Sequence, residues 1–375
     1  MNMQNPFIVG RQFRPEIFID REKETAFIVD EISQKGNLVV FGSRRLGKTW
    51  LIEKSLHELM KTDRYHCLFF DIQQYVTLSF FVADFVNKLY QTSSLVGKVE
   101  MFFKNYLPKS ATQFSFSLGP SKIEFKTKSE ENLHKVLVEI LQIPESLASE
   151  KPYVIVLDEF QELVMLDKNV ITLFRSQIQH QTHTSYIFAG SKDSAIRELF
   201  LTTSSPFFQS MKHLHLMNYL PEASCRDFLN KQFYQSGKKI TPDGIDLIMN
   251  MTEGHPLFMQ LLARRAWQKT EYVCNHKVVF DSLQDELDAN QYEYEARINL
   301  LRTREQKAVL FSLSRNEKTL YNAESMERYG IQHPNSLTRA LLQLIDIGIL
   351  EKIEKGEYRF TDLFFKEFIR QRFLP

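Results

Sequence analysis

The chain has 375 residues, of which 43% are hydrophobic and 25% are charged. These proportions are ordinary for a soluble globular protein, and at roughly 100–200 residues per domain the length predicts two or three domains. Lysine and arginine together number 47, and aspartate and glutamate 46. The resulting net charge of +1 excludes a strongly basic nucleic-acid coat protein and a polyacidic tail, although a local basic face stays open.

The cysteines and the apolar runs indicate the cellular compartment. Cys67, Cys225 and Cys274 are far apart and lack a CxxC spacing, which disfavours a disulfide framework and a cysteine-based zinc site. The first residues contain no apolar segment typical of a secretory signal. The longest aliphatic runs have the length of strands, not the roughly 20 residues of a membrane helix. We therefore expect a cytoplasmic protein without a membrane span.

Short apolar runs alternate with helical stretches over the first 220 residues. The predicted strand and helix pairs are 38–41 with 48–60, 67–70 with 78–89, 153–157 with 170–179, and 186–189 with 195–201, and a last strand lies at 213–217. Because the runs are apolar throughout, the strands are expected to be buried on both faces. The sequence thus predicts an α/β fold in residues 1–218, with a doubly wound parallel sheet and helices on both faces.

An insertion is predicted at about 92–130, where residues 114–125 form two alternating runs around Gly119-Pro120, the pattern of a hairpin flanked by helices at 95–106 and 130–141. Strand signals vanish after residue 220, so residues 219–300 are predicted to form an all-helical lid that ends in a long helix or a helical linker at about 280–301. In this lid Thr241-Pro242 is predicted to cap and begin a helix. Residues 301–375 predict three helices (305–314, 323–329 and 334–345) and two strands around Lys355-Gly356, the order of a winged helix.

The sharpest chemical signal is the segment 42–49, which matches G-x-x-x-x-G-K-[ST] and lies between a predicted strand and a predicted helix. Its residues are Gly42, Ser43, Arg44, Arg45, Leu46, Gly47, Lys48 and Thr49. The glycines let backbone N–H groups face phosphates, and the helix N-terminus adds partial positive charge. Lys48 is expected to neutralise the β- and γ-phosphates, and the Thr49 hydroxyl to ligate Mg²⁺. A chance glycine-rich turn is the alternative, which the strand–loop–helix context disfavours.

A second element is the apolar run 154–157, which ends in Asp158 and Glu159. Ligands of open α/β sheets bind at the carboxyl ends of the strands. Asp158 is therefore expected to hold Mg²⁺ through water, and Glu159 to polarise an attacking water. Taken alone, the pair could also be a solvated acidic turn.

A third element is Ser191, which follows the predicted strand at 186–189 and Gly190. Its hydroxyl could reach the γ-phosphate or the water, and Lys192 or Asp193 could substitute for it. A plain Gly-Ser turn stays open as the alternative.

Taken together, these residues resemble the archaeal and bacterial P-loop ATPase family of the STAND class, close kin of the AAA+ ATPases. The resemblance covers nearly the whole chain. The segment 18–22, with Asp20 and Arg21, looks like the family's N-terminal box bordering the adenine. Gly254-His255-Pro256 looks like its GxP motif, and so implies that His255 and Pro256 contribute to the nucleotide site. Ser191 matches its sensor position.

Two features depart from this pattern or invite another interpretation. Relatives often carry Gly-Arg before the last core strand, whereas residues 205–210 contain no arginine. Arg197 is a candidate replacement, although a surface salt bridge is the simpler role. His213 and His215 share one face of a strand, but no cysteine or acidic pattern nearby completes a metal site, so a packed strand is favoured.

The sequence favours an ATP-binding conformational switch with slow, Mg²⁺-dependent hydrolysis, in which Glu159, Lys48 and Ser191 are catalytic. A nucleic-acid-binding module that uses ATP as a structural or regulatory ligand is one alternative, and a kinase-like phosphotransferase is another. A protein partner or a homo-oligomer is expected beside ATP and ADP.

DNA binding through the winged helix is not favoured over a protein-docking or intramolecular role. The predicted outward face of its third helix offers Asn335, Ser336, Arg339 and Gln343, which include one cation. Along the wing, glutamates 351, 354 and 357 offset the cations at 352, 355 and 359, whereas duplex binding needs several phosphate contacts.

Overall fold

A computed structural model describes residues 4–10, 13–92, 112–115, 124–127, 130–148, 151–191, 193–317, 323–331, 333–354 and 356–374. The chain divides into two compact units, residues 13–216 and residues 1–12 with 217–375. The break at 216/217 lies next to the predicted boundary at 218/219, but the first twelve residues join the second unit. The predicted boundary between a lid and a winged helix, at 300/301, stays a prediction. Across the described residues no helix has the length and apolarity to cross a membrane.

The unit 13–216 contains a five-stranded parallel sheet and a separate hairpin. Its strands are β1 (Leu38–Gly42), β2 (His66–Asp71), β3 (Thr112–Ser115), β4 (Glu124–Thr127), β5 (Tyr153–Asp158), β6 (Thr184–Gly190) and β7 (Lys212–Leu216). The sheet has the order β2-β5-β6-β1-β7, and its neighbouring strands are parallel. Strands β1, β5 and β6 are buried along their whole length. The parallel sheet expected from the apolar runs is therefore confirmed.

Helices cover both faces of this sheet. They are α1 (Glu22–Ser33), α2 (Lys48–Met60), α3 (Leu78–Thr92), α4 (Glu130–Leu147), α5 (Phe160–Leu166), α6 (Val170–Ile178) and α7 (Asp193–Ile196), which continues into a π-helical segment, Arg197–Leu201. Val39 and Phe41 of β1 join one core with residues of α3, α4 and α6. Because side chains alternate along a strand, Leu38 and Val40 point to the opposite face, the side on which α1 and α2 contact β1.

The predicted hairpin is present as the antiparallel pair β3–β4, in which the backbone register pairs Phe114 with Phe125. The predicted turn at Gly119-Pro120 and the predicted helix at 95–106 lie outside the described residues. The helix predicted at 130–141 continues to Leu147 in α4 and includes Pro144.

The second unit is mainly helical. Its helices are α8 (Glu222–Gln235), α9 (Pro242–Thr252), α10 (Pro256–Lys269), α11 (His276–Ala289), α12 (Gln291–Asn299), α13 (Arg304–Ser314), α14 (Ala323–Arg328), α15 (Pro334–Asp346) and α16 (Leu363–Phe373). Its strands are β8 (Lys239–Ile240), β9 (Val273–Cys274), β10 (Leu350–Glu354) and β11 (Glu357–Phe360). The parallel two-residue ladder β8–β9 was not expected in an all-helical lid.

In two details the structure of the lid differs from the prediction. The long helix expected at 280–301 is broken at Asn290, whose side-chain amide donates to the carbonyl of Glu286 at 2.8 Å and so competes with helix continuation. Thr241 is the N-cap residue of α9 and Pro242 begins the helix, as predicted, but the Thr241 hydroxyl donates to the carbonyl of Cys274 at 3.2 Å and makes no capping hydrogen bond.

The C-terminal elements follow the predicted order of three helices and a hairpin, and α15 buries Leu337, Leu341 and Leu344 as expected. Ile345, predicted in the core, is half-buried. Lys355 lies outside the described residues. Helix α16 was not predicted; Asp362 caps it by accepting hydrogen bonds from two backbone N–H groups.

The N-terminal residues 4–10 contact the second unit although they precede the sheet in sequence. Asn5 donates to the carbonyl of Arg264 at 3.0 Å, and the Phe7 ring lies 6.1 Å from Phe228 and 5.2 Å from Phe233. Phe7 is 2% exposed, so this short segment completes part of that core.

Candidate functional site

The loop 42–49 connects β1 to α2 and requires glycine at two positions. Gly42 has a φ of +147°, and a Cβ atom there would lie 2.1 Å from the carbonyl oxygen of Leu216 on the neighbouring strand. Gly47, with a φ of +86°, is the N-cap of α2. Arg44 and Arg45 are exposed, and Leu46 is buried. The loop therefore turns tightly above the sheet edge, with the helix N-terminus behind it.

Lys48 lies at the start of α2 and is 5% exposed. Its ammonium group donates to the carbonyls of Gly42 at 2.8 Å and Ser43 at 2.7 Å. The side chain thus curls back over its own loop, while its contact with a phosphate stays a prediction.

Thr49 and Asp158 join α2 to the end of β5. The Thr49 hydroxyl donates to Oδ2 of Asp158 at 2.6 Å, and Asp158 is 5% exposed. Burial raises the pKa of the Asp158 carboxyl, as do the charges of Glu159 and Asp71, while the Thr49 hydrogen bond and Lys48 act in the opposite direction. The two residues that the sequence assigned to metal binding are therefore in contact.

Glu159 follows Asp158 in the left-handed region, with φ 55° and ψ 44°. Its Oε2 atom accepts hydrogen bonds from the Ser191 backbone N–H at 3.2 Å and from the Ser191 hydroxyl at 2.8 Å. Arg44 Nε donates to the same hydroxyl at 3.3 Å. Strand β6 lies between β5 and β1, which explains why Ser191 bridges Glu159 and the loop. The structure thus brings together Ser191, Glu159 and Arg44, three residues that the sequence singled out separately.

Two residues of this site were missed by sequence reasoning. Gln161 donates from Nε2 to Glu159 Oε2 at 2.5 Å and is 3% exposed. Glu53 lies one helical turn after Thr49, and burial raises its pKa from 4.5 to about 7, with a further contribution from Asp158. The i, i+4 spacing from Thr49 could have indicated that Glu53 lies on the same face of the helix. Only its position two residues after Glu159 could have indicated Gln161.

The oxygen donors of this site suit a hard divalent cation. Thr49 and Asp158 supply a hydroxyl and a carboxylate, and Oε2 of Glu53 is buried without a hydrogen-bond partner among the described residues. Mg²⁺ is commonly held by one or two carboxylates together with substrate phosphates and water. The hydroxyl of Thr49 and the carboxylate of Asp158 therefore fit Mg²⁺ that arrives with a phosphate ligand. In the described parts of the chain no group of three His, Cys, Asp or Glu side chains could hold a metal ion.

Asp20 and Arg21 precede α1 and both have left-handed backbone, with φ 55° and 71°. Arg21 is 7% exposed and pairs with Glu24 at 2.7 Å. The segment before them lies beside α2, because Phe13 packs edge-on against Trp50 with ring centroids 5.8 Å apart. Their contact with a base stays a prediction.

His255 and Pro256 lie in the second unit. His255 is 4% exposed and caps α10, because its Nδ1 accepts from the Leu257 N–H at 3.2 Å. Gly254 has a φ of +79°, and a Cβ atom there would lie 2.5 Å from the carbonyl oxygen of Leu220. The close approach that needs this glycine is thus to the protein's own backbone, while a nucleotide role for His255 and Pro256 stays a prediction.

The remaining candidates contact each other at the edge of the sheet. The His215 ring stacks on Phe41 at 4.4 Å, and the exposed Arg197 lies 5.4 Å above the same ring, with Nη2 3.4 Å from Nδ1 of His215. Both histidines lie in β7, which pairs with β1; His215 packs on Phe41 as favoured, whereas His213 is exposed. Lys192 and the side chain of Asp193 lie outside the described residues.

Known proteins resemble this chain in sequence and in fold. A family described as an ATPase domain predominantly from Archaea matches residues 18–262. An uncharacterized ATP-binding protein of Methanocaldococcus jannaschii is 24% identical over 200 residues, which cover 48% of this chain and 54% of that protein. The matched region therefore spans about half the length of that relative.

Two solved structures share the fold over almost the whole chain. The Walker-type ATPase of Pyrococcus abyssi has a TM-score of 0.65 at 16% identity, covering 97% of this chain and 99% of that one. The ORC2 protein of Aeropyrum pernix, solved in ADPNP–ADP complexes, has a TM-score of 0.58 at 12% identity, covering 99% of both chains. At these identities the likeness concerns the fold alone. The family match covers more than half of the chain and includes the loop, Asp158, Glu159 and Ser191, and the chain therefore belongs to the family of ATPase domains found predominantly in Archaea.

Proposed function

We propose that the protein binds ATP with Mg²⁺, hydrolyses it slowly and uses the cycle as a conformational switch. The observation that carries this proposal is the 2.6 Å hydrogen bond between Thr49 and Asp158, beside which Glu159 is held by Ser191. It supports the proposal because it joins the loop 42–49 to the two carboxylates at one edge of the sheet, and water attack on a γ-phosphate needs a phosphate-binding loop, a cation and a carboxylate.

Phosphate binding falls to the loop and to Lys48. Backbone N–H groups of the loop and the N-terminus of α2 favour an anion. Lys48 exchanges its bonds to the carbonyls of Gly42 and Ser43 for phosphate oxygens, so the ammonium group is already close to its ligand. Arg44, next in the loop, adds a second cation near Ser191.

Thr49 and Asp158 would hold Mg²⁺ together with phosphate oxygens, and burial, which raises the pKa of the Asp158 carboxyl, favours a counter-charge beside it. When bound, the cation would neutralise charge that develops in the transition state. Glu159 then accepts a proton from the attacking water, while Ser191 fixes one oxygen of its carboxylate. Such a pair of carboxylates suits activation of water, which disfavours the kinase-like alternative.

The switch is proposed to act through contacts inside the second unit. Arg359 of β11 donates to the carbonyl of Met217 at 3.2 Å, and its guanidinium lies 4.2 Å above the Tyr219 ring. The Tyr219 ring contacts His255 at 5.0 Å, and His255 caps the helix that begins at Pro256. These contacts connect the C-terminal hairpin, the start of this unit and the proposed GxP motif.

The same contacts bear on the DNA-binding alternative. Arg359 is engaged with Tyr219, Met217 and Glu351, so it is not presented as a free phosphate contact on the wing. Among the described residues of the third helix and the wing, Arg339 and Lys352 are exposed, and two cations provide little counterion release. An intramolecular or protein-docking role is therefore favoured for these C-terminal elements.

The test compares two variants with the parent. Glu159→Gln should bind ATP with an affinity within about 2-fold of the parent and release phosphate at least ~100-fold more slowly, the size expected when a general base is removed. Lys48→Ala should instead abolish measurable ATP binding by calorimetry while the thermal unfolding midpoint stays close to that of the parent. Parent-rate phosphate release by Glu159→Gln would refute the catalytic assignment, and unchanged ATP affinity of Lys48→Ala would refute the binding site.

A further inference from the structure

We infer that Gln161 is a positioning residue for Glu159, holding one carboxylate oxygen in place so that the other is left for the attacking water. The inference rests on the proposed role of Glu159 in hydrolysis, and it adds a residue that the sequence motifs do not include.

The side-chain amide of Gln161 completes a three-donor cluster on a single atom. Oε2 of Glu159 accepts from Gln161 Nε2 at 2.5 Å, from the Ser191 hydroxyl at 2.8 Å and from the Ser191 N–H at 3.2 Å. Oε1 of Glu159 receives no hydrogen bond from the part of the chain that the structure describes. Because charge-assisted hydrogen bonds are the stronger ones, the carboxylate is fixed through one oxygen while the other stays available.

The orientation of the Gln161 amide is dictated by its neighbour. An amide turned the other way would place its oxygen against the carboxylate oxygen of Glu159, so the N–H side must face Glu159. This leaves Oε1 of Gln161 buried without a hydrogen-bond partner among the described residues. A buried polar atom without a partner calls for an explanation, and a role of the side chain in catalysis is one such explanation.

Gly190 provides the space that the amide occupies. A Cβ atom at position 190 would lie 2.4 Å from Oε1 of Gln161 and 2.5 Å from the Cδ1 of Ile196. Gly190 ends β6 immediately before Ser191, so the glycine admits one donor and the serine supplies the other two. Gly190 and Ser191 together thus allow three hydrogen-bond donors to converge on the Glu159 carboxylate.

The backbone at Glu159 explains why the carboxylate needs such support. Glu159 has a positive φ of 55° and precedes α5, so the regular packing of the helix does not fix its side chain. Gln161, 3% exposed in the first turn of α5, is rigidly placed instead. Positioning by a rigid neighbour preserves the geometry that proton abstraction requires.

The test uses Gln161→Met, which keeps the length and the burial but removes the N–H donor. We expect kcat for phosphate release to fall about 10- to 100-fold, the range for removing an orienting hydrogen-bond partner, while the Kd for ATP stays within about 2-fold. Gln177→Met, at a half-buried position of α6 where the side chain bonds to Gln142 and Ser176, is the matched control and should keep the parent kcat. If Gln161→Met does not fold, Gln161→Asn, whose amide is one methylene too short to reach Glu159, replaces it.

A double variant separates this inference from the proposed function. In the Glu159→Gln background, Gln161→Met should lower the residual rate by less than about 2-fold, because Gln161 acts through Glu159. Parent kcat in Gln161→Met, or an undiminished effect in the Glu159→Gln background, would overturn the inference alone. Parent turnover by Glu159→Gln by itself would instead overturn the proposed function.

Discussion

The substitution Glu53→Gln removes a carboxyl group whose ionised form is destabilised in the folded protein. Glu53 is half-buried on α2, and its Oε2 atom has no hydrogen-bond partner among the described residues. The negative charge of Asp158 further disfavours ionisation of Glu53. The pKa of Glu53 is therefore raised from 4.5 to about 7. Between these two values the folded protein holds a proton that the unfolded chain has lost, so the free energy of unfolding must fall as pH rises through this window.

The size of the effect follows from the width of that window. Each pH unit is worth about 1.36 kcal/mol, so the interval from pH 5 to pH 7 gives at most about 2.7 kcal/mol. Glu53 is partly exposed, and solvent screening reduces this to about 1–2 kcal/mol. A glutamine at this position does not titrate, and it keeps the size of the side chain.

The assay is urea unfolding of parent and Glu53→Gln at pH 5 and pH 8, in EDTA and without nucleotide. From pH 5 to pH 8 the variant should gain about 1–2 kcal/mol in the free energy of unfolding relative to the parent. Glu58→Gln is the control on the same helix: Lys54 and Lys61 lower the pKa of Glu58 to about 2, so it is ionised in both states above pH 5 and its difference from the parent should stay flat. A parent–variant difference for Glu53→Gln that is equal at the two pH values would refute the reasoning.

Two further predictions concern the second unit. Pro256→Ala should weaken ATP several-fold more than inorganic triphosphate in calorimetric titrations, because a rigid apolar edge at Pro256 is proposed to contact the base; equal weakening of both ligands would remove that contact. Titration of a non-specific DNA duplex at low salt with ATP present should give weak binding, since Arg359 is occupied by Tyr219 and Met217. Tight, salt-sensitive binding that is lost in Arg339→Ala or Lys352→Ala would instead favour the DNA-binding alternative.

The parts of this protein that the sequence predicted are those set by local constraints. Gly42 and Gly47 have positive φ values, and a tight loop between a strand and a helix allows few other residues there. Apolar runs such as 154–157 predicted strands buried on both faces, because a run without polar alternation has no solvated side. The order of three helices and a hairpin in the C-terminal elements also came from local patterns, while their assignment as a winged helix stays a prediction. Helix α16 was missed although Asp362 caps it.

The contacts that form the site join residues that are far apart in the sequence, so no local sequence pattern predicts them. Ser191 meets Glu159 across 32 residues and Arg44 across 147, because the strand order places β6 between β5 and β1. The same order brings Gln161 against Gly190, and the packing of α2 brings Glu53 near Asp158. The sequence by itself determined which groups could bind phosphate, cation and water, because the loop and the strand ends carry them. Only the tertiary structure decided which donor holds which carboxylate, because strand pairing, and not residue type, sets the distances between them.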